Sequence, residues 1–480
     1  MPALPVWFRN IFAVLVVLLA AVPLQAQSPV RARDLGIPFE GIPGPLNAIT
    51  DVPGVEVGHQ TLLRGDGPLV KGQGPVRTGV TAILPRGRTF DPVMAAYYAL
   101  NGNGEMTGVH WIDESGYVET PITITNTFSV GVVRDAVVAW MDSTRLNADP
   151  DGGLWYTYPV VAETYDVLND ILGQHVTRAD AFAALNAARG GPVAEGSVGG
   201  GTGMIAHDFK AGIGTSSRLL PSGHVLGVLV QANYGGRDRF MVAGVPVGRE
   251  ITDLQPNYDV LARGSIIVVV ATDAPLLPQQ LQRLAERVPL AIGRMGGLGG
   301  NSSGDIFLAF STGNPGAWGA RPQATLAALP NDAVGPLFEA TVEATEEAIL
   351  NAMVAARTMT GRDSLVVHAL PHDRLQAALR KYGRYVDPAT LPRAAASREG
   401  EWDAIVGRYR SDEGDNAIQL VVEDGRLFAE VGPTRLRAVR LVDGRITLLG
   451  AGGMFIEVEG TAMRLMRDGT AVGELRKIGD

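Results

Sequence analysis

The stretch "LARGSIIVVVATDAPL", Leu261 to Leu276, decides the fold. Gly264 and Ser265 stand directly before five aliphatic residues, Ile266 to Val270. A continuous β-branched run bounded by turn residues reads as a strand buried on both faces. Such a strand needs layers above and below it. The small hydroxyl residue at its mouth has two readings. It closes a turn, or it is a serine held at the edge of a core so that it can react.

The flanking sequence supplies the layers. "GVEVGHQTLL", "TGVTAILPRG", "TPITITNTFSVG", "HVLGVLVQANYGG" and "GDIFLAFSTGN" read as strands with Gly/Pro boundaries. "VVRDAVVAWMDSTRL", "RADAFAALNAARGG" and "LLPQQLQRLAERV" carry apolar residues at helical spacing. Phe338, Val342, Thr345, Ile349 and Met353 mark one face of a longer helix after Gly335-Pro336. Continuous apolar strands with one-sided helices predict an α/β layered sandwich, two β-sheets enclosed by helices.

The composition changes near Tyr385. Residues 386–402 read as a linker. Beyond them the apolar period becomes two, and Asp-Gly pairs at 424–425, 443–444 and 468–469 separate short strands. Asp-Gly between alternating strands is a strong hairpin signal. Residues 403–480 are therefore expected to form a small antiparallel β domain, a partial barrel. No chemistry is visible in it.

The N-terminus reads as an export signal. Arg9 precedes the apolar run Ile11 to Val22, and Ala26 is a suitable cleavage point. The run is short for a bilayer span; an uncleaved anchor is the weaker alternative. Residues 27–46 read as a loosely ordered arm. The protein is then expected to be exported, to the periplasm or beyond the cell, with no stable membrane span after processing.

The 480 residues are 46% hydrophobic and 19% charged, ordinary values for globular domains. The formal net charge of −9 comes without a Lys/Arg block, which argues against nucleic acid as a partner. With no cysteine in the chain, disulfides, thiol catalysis and Cys-ligated metals are excluded.

Other motifs carry less. "GSVGGGTG" (Gly196 to Gly203) lacks the Gly-Lys-Ser/Thr ending of a phosphate loop and reads as a close-approach turn. "GNSSG" (Gly300 to Gly304) matches the spacing of a nucleophile elbow at Ser302. A loop precedes it and a strand follows, which reverses the elbow's order. His368 and His372 are separated by Pro371, which disfavours a shared metal-binding helical face.

At Gly264-Ser265 the chemistry is more specific. If that peptide bond breaks, the Ser265 hydroxyl gains its own α-amine, with a reference pKa of about 7.7–8.0. Such an amine is a usable base for a weak nucleophile. Glycine before the bond permits the unusual backbone geometry of self-cleavage.

"GNGEMTG", "VVAETYDVLND", "VQANYGG", "GSIIVVVATDAPL", "NSSGD" and "HALPHDRLQ" occur in this order. Together they resemble the self-processing N-terminal-serine aminopeptidases, peptidase family S58. These are the L-aminopeptidase/D-esterase and β-peptidyl aminopeptidase enzymes. The resemblance covers residues 33–385 and implies an N-terminal-nucleophile-hydrolase-like architecture cut between 264 and 265.

It further implies Ser265 as nucleophile and Asn233 as oxyanion donor. Ser303 and Asp305 match the polar pair near the nucleophile, and Glu163 and Tyr165 match residues near the substrate's free amine. No metal or organic cofactor is implied. Substrates would be short peptides, amides or esters with a free amine, and cleaved chains would form a homo-oligomer. Two other classes remain: an elbow-type hydrolase using Ser302 with a downstream histidine, and a non-catalytic exported binding protein.

Overall fold

The computed structural model describes residues 30–146, 156–257, 264–319, 323–411 and 417–478. The expected export signal, residues 1–26, lies outside the described residues. Among those described, no helix is long and apolar enough to cross a membrane.

In chain order the strands before residue 312 are β1 (Glu56–Arg64), β2 (Val76–Leu84), β3 (Val93–Gly102), β4 (Tyr117–Val118), β5 (Ile122–Asn126) and β6 (Val160–Thr164). They continue with β7 (Ile205–Ala206), β8 (Phe209–Lys210), β9 (Ile213–Leu219), β10 (Val225–Asn233), β11 (Ser265–Thr272) and β12 (Gly304–Ser311). One sheet has the order β1-β2-β5-β6; the other has β4-β3-β12-β11-β10-β9. β11 is central in the second sheet, antiparallel to β10 and parallel to β12.

Alternation along β11 explains its unbroken apolar sequence. Ile267, Val269 and Ala271 pack between the two sheets with Ile83, Ile122, Ile124 and Leu308. Ile266, Val268 and Val270 face the other way, onto the helices Pro278–Ala285, Val288–Arg294 and Gly335–Val354. The outer face of the first sheet packs under Val130–Thr144 and Arg178–Ala187 through Val133, Val137, Trp140 and Leu185. The layers run helix, sheet, sheet, helix, as the sequence leads one to expect. Thr177 caps Arg178–Ala187 in a reciprocal box with Asp180.

The N-terminal arm differs from its loose reading. From Arg31 it packs tightly, because its charges have partners inside. Arg33 is buried against Glu347 of the long helix at 2.9 Å, and Arg218 of β9 reaches the same carboxylate at 2.9 Å. The two guanidiniums hold Glu347 down at about 2, against the burial that would raise it. Gly199–Gly201 form a tight turn wedged onto β2 and β10; a Cβ on Gly200 would come 2.3 Å from Gln231 Oε1.

The C-terminal strands close completely. Eight antiparallel strands run from Gly407–Arg410 to Thr470–Lys477, and the first pairs with the last through Tyr409–Lys477. The barrel is thus whole, where the sequence suggested a partial one. Trp402, Tyr409, Leu420, Leu427 and Met463 fill its interior. Residues 386–402 pack along the way: Arg393 holds Asp34 at 2.6 Å, and Ala394 bridges to Leu441.

The barrel seats on the β9–β10 turn. Arg437 donates to the Gly223 carbonyl at 2.9 Å, and Arg426 pairs with Asp273, just beyond β11, at 2.8 Å. Ser265 is at the other end of β11, roughly 25 Å away at ~3.3 Å per residue.

Candidate active site

Three strand ends meet at Ser265. Asn233, the last residue of β10, is the direct Cα partner of Ser265, the first of β11. Opposed residues of an antiparallel pair project to the same face. On the other side, the N–H of Gly304, first residue of β12, donates to Ser265 Oγ at 3.0 Å. Ser265 is 7% exposed, at the rim of the core rather than inside it.

Gly264 occupies a position that only glycine fits. Its φ is +46°, and an added Cβ would come 1.5 Å from the Asn233 carbonyl oxygen.

The Asn233 side chain is fixed at both ends. Its Oδ1 accepts from the Ile205 N–H at 2.9 Å, and its Nδ2 donates to the Tyr165 carbonyl at 3.1 Å. Ser303 Oγ donates to Asp305 Oδ1 at 2.6 Å, and Asn101 Nδ2 donates to Asp305 Oδ2 at 3.2 Å. Burial raises the Asp305 carboxyl above its ordinary value, opposed by Ser303 and Asn101.

Glu163, on β6, sits against the same place from the first sheet. A Cβ on Gly104 would lie 3.0 Å from Gly304 Cα and 3.3 Å from Glu163 Oε1. Glu163 accepts from the Glu105 N–H at 2.9 Å and from Thr127 Oγ1. Burial raises its carboxyl too, and those two donors oppose the rise. Tyr165 enters the site through its carbonyl. The residue is 45% exposed, and its ring lies edge-on to Phe128.

The structure therefore gathers Ser265, Asn233, Gly264, Ser303, Asp305, Glu163 and the Tyr165 backbone around one point. Sequence reasoning missed Asn101, Thr127, Ile205 and the Gly304 N–H. Asn101 adjoins the quoted "GNGEMTG"; the other contacts join segments distant in the chain and leave no local signal. Ser302 is exposed on the turn before β12, with loop before it and strand after it, so no elbow is formed. His372 is the first residue of the helix His372–Lys381 and its Nε2 meets the Val354 carbonyl at 3.0 Å.

A serine at a central strand mouth in a four-layer sandwich, with an amide and an N–H beside it, defines a serine hydrolase of the N-terminal-nucleophile type. The profile of peptidase family S58 matches residues 47–367, and the chain belongs to that family. It is a serine aminopeptidase.

The chain is 50% identical to the β-peptidyl aminopeptidase BapA of Sphingosinicella microcystinivorans, over 78% of this chain and 97% of that one. A β-aminopeptidase structure from Burkholderia sp. is 48% identical, with a TM-score of 0.68, over 74% and 99% of the two chains. The L-aminopeptidase D-Ala-esterase/amidase of Ochrobactrum anthropi, a variant of the Ntn hydrolase fold, is also 48% identical. Its TM-score is 0.70, over 74% of this chain and 99% of that one.

Proposed function

We propose that the protein is exported, cleaves itself between Gly264 and Ser265, and then removes N-terminal residues from short peptides, amides or esters. The observation that carries this is the pairing of Ser265 with Asn233 at the strand mouth, with Gly264 in a conformation closed to other residues.

In the proposed reaction Ser265 Oγ attacks the substrate carbonyl and its proton passes to the Ser265 α-amine. The Asn233 amide turns from the Tyr165 carbonyl to the developing oxyanion, a contact worth roughly 3–4 kcal/mol in the transition state. The amine or alcohol leaves with the proton. Water then attacks the acyl-enzyme and frees the amino acid. Ser303, oriented by Asp305, supports the nucleophile's polar surroundings.

Glu163 holds the substrate ammonium, which explains a free-amine requirement. The exposed Tyr165 and Phe128 rings wall the approach. The names of relatives that act on β-peptides and D-alanine esters support β- and D-configured residues as candidate substrates. Cleaved chains assemble into a homo-oligomer, and export follows from the N-terminal signal pattern.

The first test is a denaturing gel with N-terminal sequencing of each band. The proposal expects fragments 27–264 and 265–480, the second beginning Ser-Ile-Ile-Val, and a single chain in Ser265→Ala. An intact chain that still hydrolyses aminoacyl amides would overturn it.

A further inference from the structure

Lys210, on β8, is fully buried, and among the described residues no carboxylate pairs with it. Its Nζ donates instead to two main-chain carbonyls, Met204 at 2.8 Å and Ala211 at 2.6 Å. Burying an ammonium without a paired charge is costly. Burial alone brings its pKa down to about 7. Protonated or neutral, the nitrogen has the two N–H donors these carbonyls require.

The Met204 carbonyl is one end of a single peptide group. The other end is the Ile205 N–H, which donates to Asn233 Oδ1 at 2.9 Å. A continuous relay results: Lys210 Nζ to the 204–205 peptide, that peptide to the Asn233 carboxamide, and the carboxamide Nδ2 to whatever lies before it. Chains of this kind polarise one another in a low-dielectric interior. Electron density drawn toward Lys210 at the Met204 oxygen makes the Ile205 N–H a stronger donor. That N–H in turn makes Asn233 Nδ2 a stronger donor. The Lys210 bond to the Ala211 carbonyl and the Ala211 N–H bond to Met204 fix the β7–β8 hairpin that carries the relay.

We infer that Lys210 is a positioning residue for the oxyanion donor, holding and polarising the Asn233 amide through the 204–205 peptide. The inference rests on the proposed role of Asn233.

The test compares wild type with Lys210→Met for three constants: kcat, the Ki of an aminoalkyl boronic acid bearing a good substrate's side chain, and the Ki of the free amino acid product. The boronate bonds to Ser265 Oγ and places a hydroxyl where the oxyanion forms; the product does not use that position. The expected result is a fall in kcat of about tenfold or more. The boronate Ki should rise in step while the product Ki stays within about twofold. Unchanged kcat and boronate affinity overturn the inference, and so does an equal loss in all three constants. If Lys210→Met does not fold, Lys210→Gln is judged by the same constants. Wild-type kcat and boronate affinity in Asn233→Ala would instead overturn the role of Asn233 itself.

Discussion

Ser265 and Asn233 stand opposite each other as the terminal pair of the β10–β11 ladder, so the register of one strand pair fixes both residues. A one-residue slip of β11 would turn Ser265 to the other face of the sheet and set Ile266 opposite Asn233. Seven further residue pairs, from Leu226–Thr272 to Ala232–Ile266, hold that register through the core.

Gly264→Ala tests the strand mouth. The new methyl would overlap the Asn233 carbonyl oxygen, and alanine at positive φ is strained in addition. The segment must shift, which moves the Gly264 carbonyl out of line with the Ser265 Oγ that would attack it. The expected outcome is a chain that remains uncut on a gel under conditions where wild type is fully converted. Normal fragments would contradict this.

Asn233→Ala removes the amide and should lower kcat by roughly 100- to 1,000-fold, the usual loss for one oxyanion donor. KM should change far less, because the contact forms only as charge develops. Steady-state kinetics on an aminoacyl ester separates the two.

Glu163→Gln keeps the shape, accepts from the Glu105 N–H through its amide oxygen, turns its amide nitrogen to donate to Thr127 Oγ1, and loses the charge. A hydrogen bond to a charged group is worth about 1.5–3 kcal/mol, so KM for free-amine substrates should rise by about 10- to 100-fold. A fall confined to kcat would assign Glu163 to the chemistry instead.

Asp166, beside Tyr165, is wholly buried, and burial pushes its carboxyl up to about 8 despite Asn169 and Thr78. The folded protein therefore keeps a proton that the unfolded chain, near 3.9, gives up. The stability linked to that proton is present in acid and is lost as pH rises from about 4 through about 8. Asp166→Asn should accordingly gain thermal stability relative to its parent between pH 5 and pH 9. The measurement is made in the Ser265→Ala background, where every chain is in one covalent state. A difference in melting temperature that does not vary with pH would refute it.

Arg426→Ala tests the barrel's seat. It removes a partly buried ion pair with Asp273 and should cost about 1 kcal/mol, read as a lower melting temperature. kcat/KM should stay within about twofold, because Ser265 lies at the far end of β11. A large loss of activity would mean that the barrel reaches the chemistry.

Much of this was legible in the chain. β10, β11 and β12 announce themselves because both their faces are buried in apolar layers. The barrel announces itself through Asp-Gly turns; Asp424-Gly425 and Asp468-Gly469 have the paired positive φ of tight hairpins. β3 and β9 did not. "VMAAYYALNG" is rich in residues that also suit helices, and only its neighbours β4 and β12 make it a strand. "IGTSSRL" looks like a surface segment, yet all seven residues are buried. Ser216 donates to the Ala344 carbonyl, Ser217 to Asp51, and Arg218 pairs with Glu343 and Glu347. Polar groups satisfied from distant parts of the chain cannot be told from solvated ones by local pattern.

The site divided in the same way. Ser265, Asn233, Ser303, Asp305 and Glu163 could be named in advance, while the supporting Asn101 and Thr127 side chains and the main-chain partners could not. Gly304 N–H, the Tyr165 carbonyl and the 204–205 peptide belong to no residue type.

The buried Arg33–Glu347 pair acquires another meaning if the chain is cut as proposed. Arg33 and Arg218 would then belong to one polypeptide and Glu347 to the other. The barrel, carried by the second, would stand on Gly223 of the first. Maturation would thus leave two products riveted together at sites remote from the scission. Separating them would strand a carboxylate in the interior without its counter-ions. Such a heterodimer should persist at dilutions that dissociate ordinary subunits.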